Sequence, residues 1–148
     1  MAKIMLNILI INGPNLNMLG KRDKNQYGDK TLKDIELIIK EYCVKNKIKV
    51  SFFQSNIEGE IISKIQNSED EFKGIIINAG GYTHTSVAIR DSLECINIPK
   101  VEVHLSNITN REEFRHISLL TPVCDGAIFG FKELSYILAL DYLNKILT

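Results

Sequence analysis

Tryptophan is absent, prolines and cysteines number three each in 148 residues, and 18 basic side chains cancel 18 acidic ones. Each shortage excludes something. Zero net charge leaves no electrostatic footprint for DNA, RNA or an anionic membrane surface, and the cluster Lys21, Arg22, Lys24 is too short for a polybasic patch. Cys43, Cys95 and Cys124 are odd in number and lack a Cys-x-x-Cys spacing, so no disulfide framework is expected. Cys43 falls on the apolar side of a helical pattern and reads as a reduced, buried thiol. No apolar stretch approaches the ~20 residues that cross a bilayer. Met1–Ile11 has Lys3 ahead of an apolar run in the manner of a signal peptide. Asn7 interrupts that run, however, and Gly13-Pro14 stands where a small-x-small cleavage site would. The expectation is a soluble, cytoplasmic protein with no nucleic-acid or membrane partner.

What the chain does have is alternation. Apolar residues make up 45% and charged ones 24%, a globular balance, and a domain of this size removes about 70% of its unfolded surface from water. Strand-like runs stand at Leu6–Asn12, Ile48–Ser55, Gly74–Ala79, Lys100–Ser106 and Ala127–Phe131. The first, third and last are nearly continuous apolar, as strands buried on both faces should be. Between them, "TLKDIELIIKEYC" sets Leu32, Ile35, Ile38, Ile39, Tyr42 and Cys43 on one helical face, with Thr31 as N-cap and Asp34 three residues on. "EGEIISKIQNS" and "TSVAIRDSLECI" are shorter helical patterns. "ELSYILALDYLNKIL" places an apolar stripe at Leu134, Ile137, Leu138, Tyr142 and Leu143. No repeat, low-complexity tract or linker divides residues 1–148. The pattern predicts a single α/β domain with an open, doubly wound, five-stranded parallel sheet of the flavodoxin-like type.

In such sheets ligands bind outside the carboxyl ends of the strands, and the unusual polar residues fall there. Asn12, Asn15, Arg22 and Tyr27 follow the first strand; Asn78, Gly80, Gly81 and His84 follow the third; His104, Ser106 and Asn107 end the fourth. Arg111, Arg115 and His116 come next, His116 reading as a solvated helix residue. His84 and His104 show neither an H-x-x-x-H nor a Cys/His spacing and no acidic cluster beside them, so no metal is expected. Glu102 and His104 lie two apart on one strand face, about 6.6 Å between backbones. There a carboxylate can hold one ring nitrogen and leave the other free to transfer a proton.

"NAGGYTHTS" reads either as a tight turn with Thr85 and Ser86 opening a helix, or as a cradle of N–H groups for an anionic or hydroxylated ligand. It matches neither a Walker A loop nor G-x-G-x-x-G, and the chain has no G-x-S-x-G. "GKRDKNQYG", at about 20–28, reads as a mobile segment over the mouth of the site, and irregular loops of this kind are usually functional or disordered. A tyrosine is about 0.1% ionised at pH 7. A guanidinium nearby lowers its pKa by ~1–3 units, so Arg22 and Tyr27 read as a lid carrying a base and its activating cation.

"INGPNLNMLGKRDKNQYG", "QSNIEGE", "NAGGYTHTSVAIRD", "EVHLSNITNREEFRHISLLTPV" and "GFKELSYILAL" together resemble type II 3-dehydroquinate dehydratase, in order and spacing across essentially the whole chain. The resemblance implies a dodecamer built as a tetramer of trimers and the absence of any metal or organic cofactor. It implies conversion of 3-dehydroquinate to 3-dehydroshikimate and water, in the shikimate or quinate pathway, by anti elimination through an enolate. By the same resemblance Tyr27 is the general base, Arg22 its lid arginine, and Asn15 orients a water on the enolate oxygen. His104, held by Glu102, is the general acid. Asn78, His84 and Arg115 bind hydroxyls, the N–H groups of Leu105 and Ser106 receive the carboxylate, and Arg111 supports the lid. Asp91 comes from a neighbouring subunit. Ile57, Thr109-Asn110 and Lys132-Glu133 depart from the family pattern. A flavin or phosphoryl-signal binding module on the same scaffold would leave Tyr27, Glu102 and His104 without a role, and a non-catalytic assembly protein would be marked by loss of a catalytic residue, of which none is lost.

Overall fold

The computed structural model describes residues 5–148; Lys3, on which the leader-like reading turned, lies outside the described residues. Five parallel strands form one sheet: β1 (Leu6–Asn12), β2 (Ile48–Gln54), β3 (Gly74–Asn78), β4 (Lys100–His104) and β5 (Gly126–Phe129), ordered β2-β1-β3-β4-β5. That is the flavodoxin-like order, with its topological switch between β1 and β3. The helices are α1 (Lys24–Tyr27), α2 (Leu32–Lys45), α3 (Glu58–Gln66), α4 (Val87–Glu94) and α5 (Leu134–Leu147). On β1, Ile8 and Ile10 enter the core made with α2 and α5, while Leu9 and Ile11 enter the one made with α3 and α4. All four are fully buried, each contributing roughly 1.5–3 kcal/mol. Among the described residues no helix is long and apolar enough to cross a membrane.

α2 forms as its sequence predicts. Thr31 Oγ1 accepts from the Asp34 N–H at 3.1 Å and Asp34 returns a bond to the Thr31 N–H at 3.0 Å, a full capping box. Ile35, Ile39 and Cys43 are buried, and burial pushes the Cys43 thiol up to about 11.

α5 differs from expectation. Its buried residues are Ser135, Tyr136, Ala139, Leu140 and Leu143, while Leu134, Leu138 and Tyr142 face outward. The helix is apolar around most of its circumference, so spacing alone could not choose a face. The buried face is the one on which the Tyr136 hydroxyl meets Asn12 and Asn78.

β2, β3 and β4 end at Gln54, Asn78 and His104, one or two residues earlier than their apolar runs suggest, because the chain leaves the ladder for turns. The turns after β1 and β3 touch through glycines. A Cβ on Gly13 would stand 2.6 Å from the Ala79 carbonyl oxygen, and one on Gly80, at φ 57°, would stand 2.8 Å from that of Pro14. Only glycine permits this approach. Residues Gly80–His84 then form a 3-10 turn. α4 starts at Val87, with Ser86 Oγ accepting from the Ile89 N–H at 2.9 Å as its N-cap. Thr85 and His84 therefore precede the helix rather than open it.

Candidate active site

The carboxyl ends of β1, β3 and β4 surround a small cleft. Arg22, Tyr27, Asn78, His84, His104, Leu105, Ser106 and Arg115 line it, joined by Arg111. Three guanidiniums around one small opening favour an anionic ligand. The remaining candidates lie apart from the lining. Glu102 is fully buried and bonded to His104. Asn15 is exposed at the rim, in left-handed backbone at φ 69°, its N–H donating to Asn56 Oδ1 at 3.0 Å. Asp91 is exposed on α4, away from this chain's own cleft.

Segment 20–28 is more ordered than its sequence suggests. Asp23 Oδ1 accepts from the Asn25 N–H at 3.0 Å and starts the single turn of α1, which ends at Gly28 with φ 77°. The turn brings Tyr27 back toward Arg22. Arg22 Nη2 donates to the phenolic oxygen at 2.7 Å, and its guanidinium lies 3.9 Å over the ring. Arg111 approaches the same ring at 5.0 Å and donates from Nη1 to Ser106 Oγ at 3.2 Å. The tyrosine oxygen is thus an acceptor from a fixed cation, the arrangement a phenolate needs.

Glu102 and His104 meet as their spacing predicts. His104 Nε2 donates to Glu102 Oε2 at 2.5 Å, leaving Nδ1 as the ring's other nitrogen. Two hydroxyls that sequence reasoning missed complete the carboxylate's shell. Ser118 Oγ approaches both oxygens at 2.9 and 3.0 Å, and Thr121 Oγ1 donates to Oε1 at 2.5 Å. Burial is the largest influence on Glu102 and would raise its carboxyl. Hydrogen bonding and attraction from His104, with the Thr121 and Ser118 hydrogen bonds, outweigh it and hold the group below its ordinary 4.5.

A folded-state value below the unfolded one means that the unfolded chain takes up this proton first as pH falls. The resulting stability is present above about pH 4.5 and drains away as pH drops through the lower folded value. Urea unfolding across a pH series should show this acid slope, and Glu102→Gln should flatten it. An equally steep slope in the variant would remove Glu102 from the account.

The same loop sets the second histidine. His84 Nδ1 donates to the Ile117 carbonyl at 2.8 Å, which leaves Nε2 as the acceptor of the neutral ring. Burial holds His84 below its ordinary range, with His104 and Arg115 acting the same way and the Ile117 bond opposing. The two imidazoles stack with centroids 6.3 Å apart. His116 is exposed, as expected, but follows the 3-10 turn Glu113–Arg115 rather than sitting in a helix, and its Nε2 donates to the Arg111 carbonyl at 2.9 Å.

Asn78 is oriented from beneath. Its Nδ2 donates to the Tyr136 hydroxyl at 3.1 Å, and its Oδ1 accepts from the Gly80 N–H at 3.3 Å. Tyr136 passes its own proton to Asn12 Oδ1 at 2.5 Å. Burial pushes that hydroxyl up, the Asn78 bond only partly opposing, so it stays a donor. Sequence offered no signal for this link between α5 and two strand ends.

Among the described residues no three His, Cys, Asp or Glu side chains converge as a metal site. The family model for class II dehydroquinases matches residues 6–144. A 3-dehydroquinate dehydratase of Thermotoga neapolitana is 51% identical over 141 residues, 95% of this chain and 96% of that one. The crystal structure of a type II dehydroquinase from Butyrivibrio crossotus superposes with a TM-score of 0.93 at 51% identity, over 95% of this chain and 98% of that one. One from Propionibacterium acnes gives 0.92 at 35% identity, over 97% and 99%. With the cleft, the phenol–guanidinium pair and the carboxylate–histidine pair in place, the chain belongs to the class II dehydroquinase family.

Proposed function

We infer that this chain is a 3-dehydroquinate dehydratase, a lyase that removes water from 3-dehydroquinate in the shikimate pathway. The observation that carries the reading is the pairing within one cleft of a phenol bonded to a guanidinium and an imidazole bonded to a buried carboxylate. A β-hydroxy ketone needs those two groups. Tyr27, as phenolate beside Arg22, takes the carbon-2 proton, and the electron pair moves onto the carbonyl oxygen as an enolate. Asn15, from the rim, orients a water on that oxygen. The enolate collapses, the carbon–hydroxyl bond breaks, and His104 gives its Nδ1 proton to the departing hydroxyl, which leaves as water. With Glu102 on Nε2, the ring has a charge partner while it carries both protons.

The substrate carboxylate sits on the N–H groups of Leu105 and Ser106, and Asn78, His84 and Arg115 take its hydroxyls. Acid, base and charge stabilisation all come from the protein, so the reading uses no metal and no organic cofactor. Residues 20–28 form a lid over the cleft, supported by Arg111. By the family resemblance the chain assembles as a dodecamer of four trimers in which Asp91 serves a neighbour's site, a role that its position away from its own cleft suits. The exposed Val87, Phe114 and Ile117 near these elements suit subunit contacts. The enzyme works in the cytoplasm. The test is direct: purified protein with 3-dehydroquinate should produce the ultraviolet absorbance of a conjugated enone, and a flat trace overturns the assignment.

A further inference from the structure

Tyr27 stands on a single helical turn, and one turn is not stable by itself. None of its four residues is fully buried. Something outside must hold it. Lys132, in the corner between β5 and α5, donates from Nζ to the carbonyls of Asn25 at 2.9 Å and Gln26 at 3.0 Å. Those carbonyls lie at the carboxyl end of α1, where a helix leaves acceptors unsatisfied and favours a cation. The next residue repeats the tie, Glu133 pairing with Lys30 at 3.3 Å just beyond the turn.

The backbone beneath Lys132 is costly to keep. Its φ is 54°, in the left-handed region where glycine is at ease and a lysine is strained. Its N–H donates to the Leu105 carbonyl at 3.0 Å, so the side chain stands on the same strand end that lines the cleft. A lysine in a glycine's conformation, anchored to the rigid sheet and reaching both carbonyls, is more than a surface charge.

We propose that Lys132 is a positioning residue for Tyr27: its ammonium caps the lid turn and holds the phenol over the cleft. The inference rests on Tyr27 being the base, but the capping can be read without activity. Three variants separate the effects. Lys132→Gly removes the ammonium and relieves the backbone, Lys132→Met keeps most of the stem without the charge, and Lys132→Arg keeps a donor.

The readouts are hydrogen exchange at the Tyr27 and Gly28 amides, which donate to Asp23 and Lys24 carbonyls, together with thermal midpoint, kcat and KM. In Lys132→Gly the midpoint should hold or rise, while lid exchange quickens and kcat falls, each about tenfold as for a lost charged hydrogen bond. KM should move less than kcat. Lys132→Met should show the same exchange and kcat losses without the gain in midpoint, and Lys132→Arg should recover most of both. Wild-type exchange in the glycine and methionine variants overturns the proposal, and so does faster exchange with unchanged kcat. Should the wild type itself fail to turn over 3-dehydroquinate, the functional reading fails, while the exchange comparison still reports the cap.

Discussion

Tyr27→Phe should lose turnover by roughly 10²–10⁴-fold or more, the contribution of a positioned general base, while folding and ligand affinity stay close to wild type. The substitution deletes one oxygen. The ring keeps its place, because the Arg22 guanidinium still lies against its face and the α1 turn keeps its main-chain bonds and its Lys132 contacts, none of which the hydroxyl makes. No other residue lining the cleft offers a second phenol. Steady-state assay beside calorimetric titration with substrate separates the two effects: near-zero heat of turnover with binding retained supports the assignment, and full activity rejects it.

His104→Ala should slow dehydration by a comparable roughly 10²–10⁴-fold but leave the first half of the reaction running. Removing the ring takes away the one donor to Glu102, among the described residues, that also lines the cleft. Ser118 and Thr121 remain on the carboxylate, so the buried charge keeps two hydroxyl donors. Tyr27 and Arg22 are untouched. Proton removal from carbon 2 should then outpace loss of the hydroxyl, and substrate in deuterium oxide should gain deuterium at carbon 2 before product forms. Proton magnetic resonance follows both events in one sample. Dehydration at the wild-type rate would reject His104 as the acid.

The fold was readable because β1 and β3 carry apolar residues at both parities, as Ile8, Leu9, Ile10 and Ile11 do, and Ile75, Ile76 and Ile77 likewise. Only a sheet covered on both sides uses such a strand. Glu102 and His104 were readable for a local reason, since a separation of two fixes a shared face. The α5 stripe held at Ile137 and Leu143 but missed at Leu134, Leu138 and Tyr142, because the helix is apolar almost all round and the contact from the Tyr136 hydroxyl to Asn12 spans 124 positions. Ser118 and Thr121 are 16 and 19 positions from Glu102 on a loop with no period, so nothing local marks them. α1 escaped because four residues are too few for a periodicity, although Asp23 ahead of it was a legitimate capping signal. Lys132 was visible only as an oddity after "GF"; its reach to the lid is a fact of tertiary structure.

The short run from Ile117 to Thr121 holds both imidazoles, His84 directly through the Ile117 carbonyl and His104 indirectly through the hydroxyls on Glu102. In engineering terms these two rings share a single control surface. An insertion, a proline or a graft from another protein anywhere in those five positions would disturb ligand recognition at His84 and proton delivery at His104 together. A design that aims to alter substrate preference without spoiling chemistry has to begin elsewhere, at Arg115, which lines the cleft but pairs with Glu112 rather than Glu102.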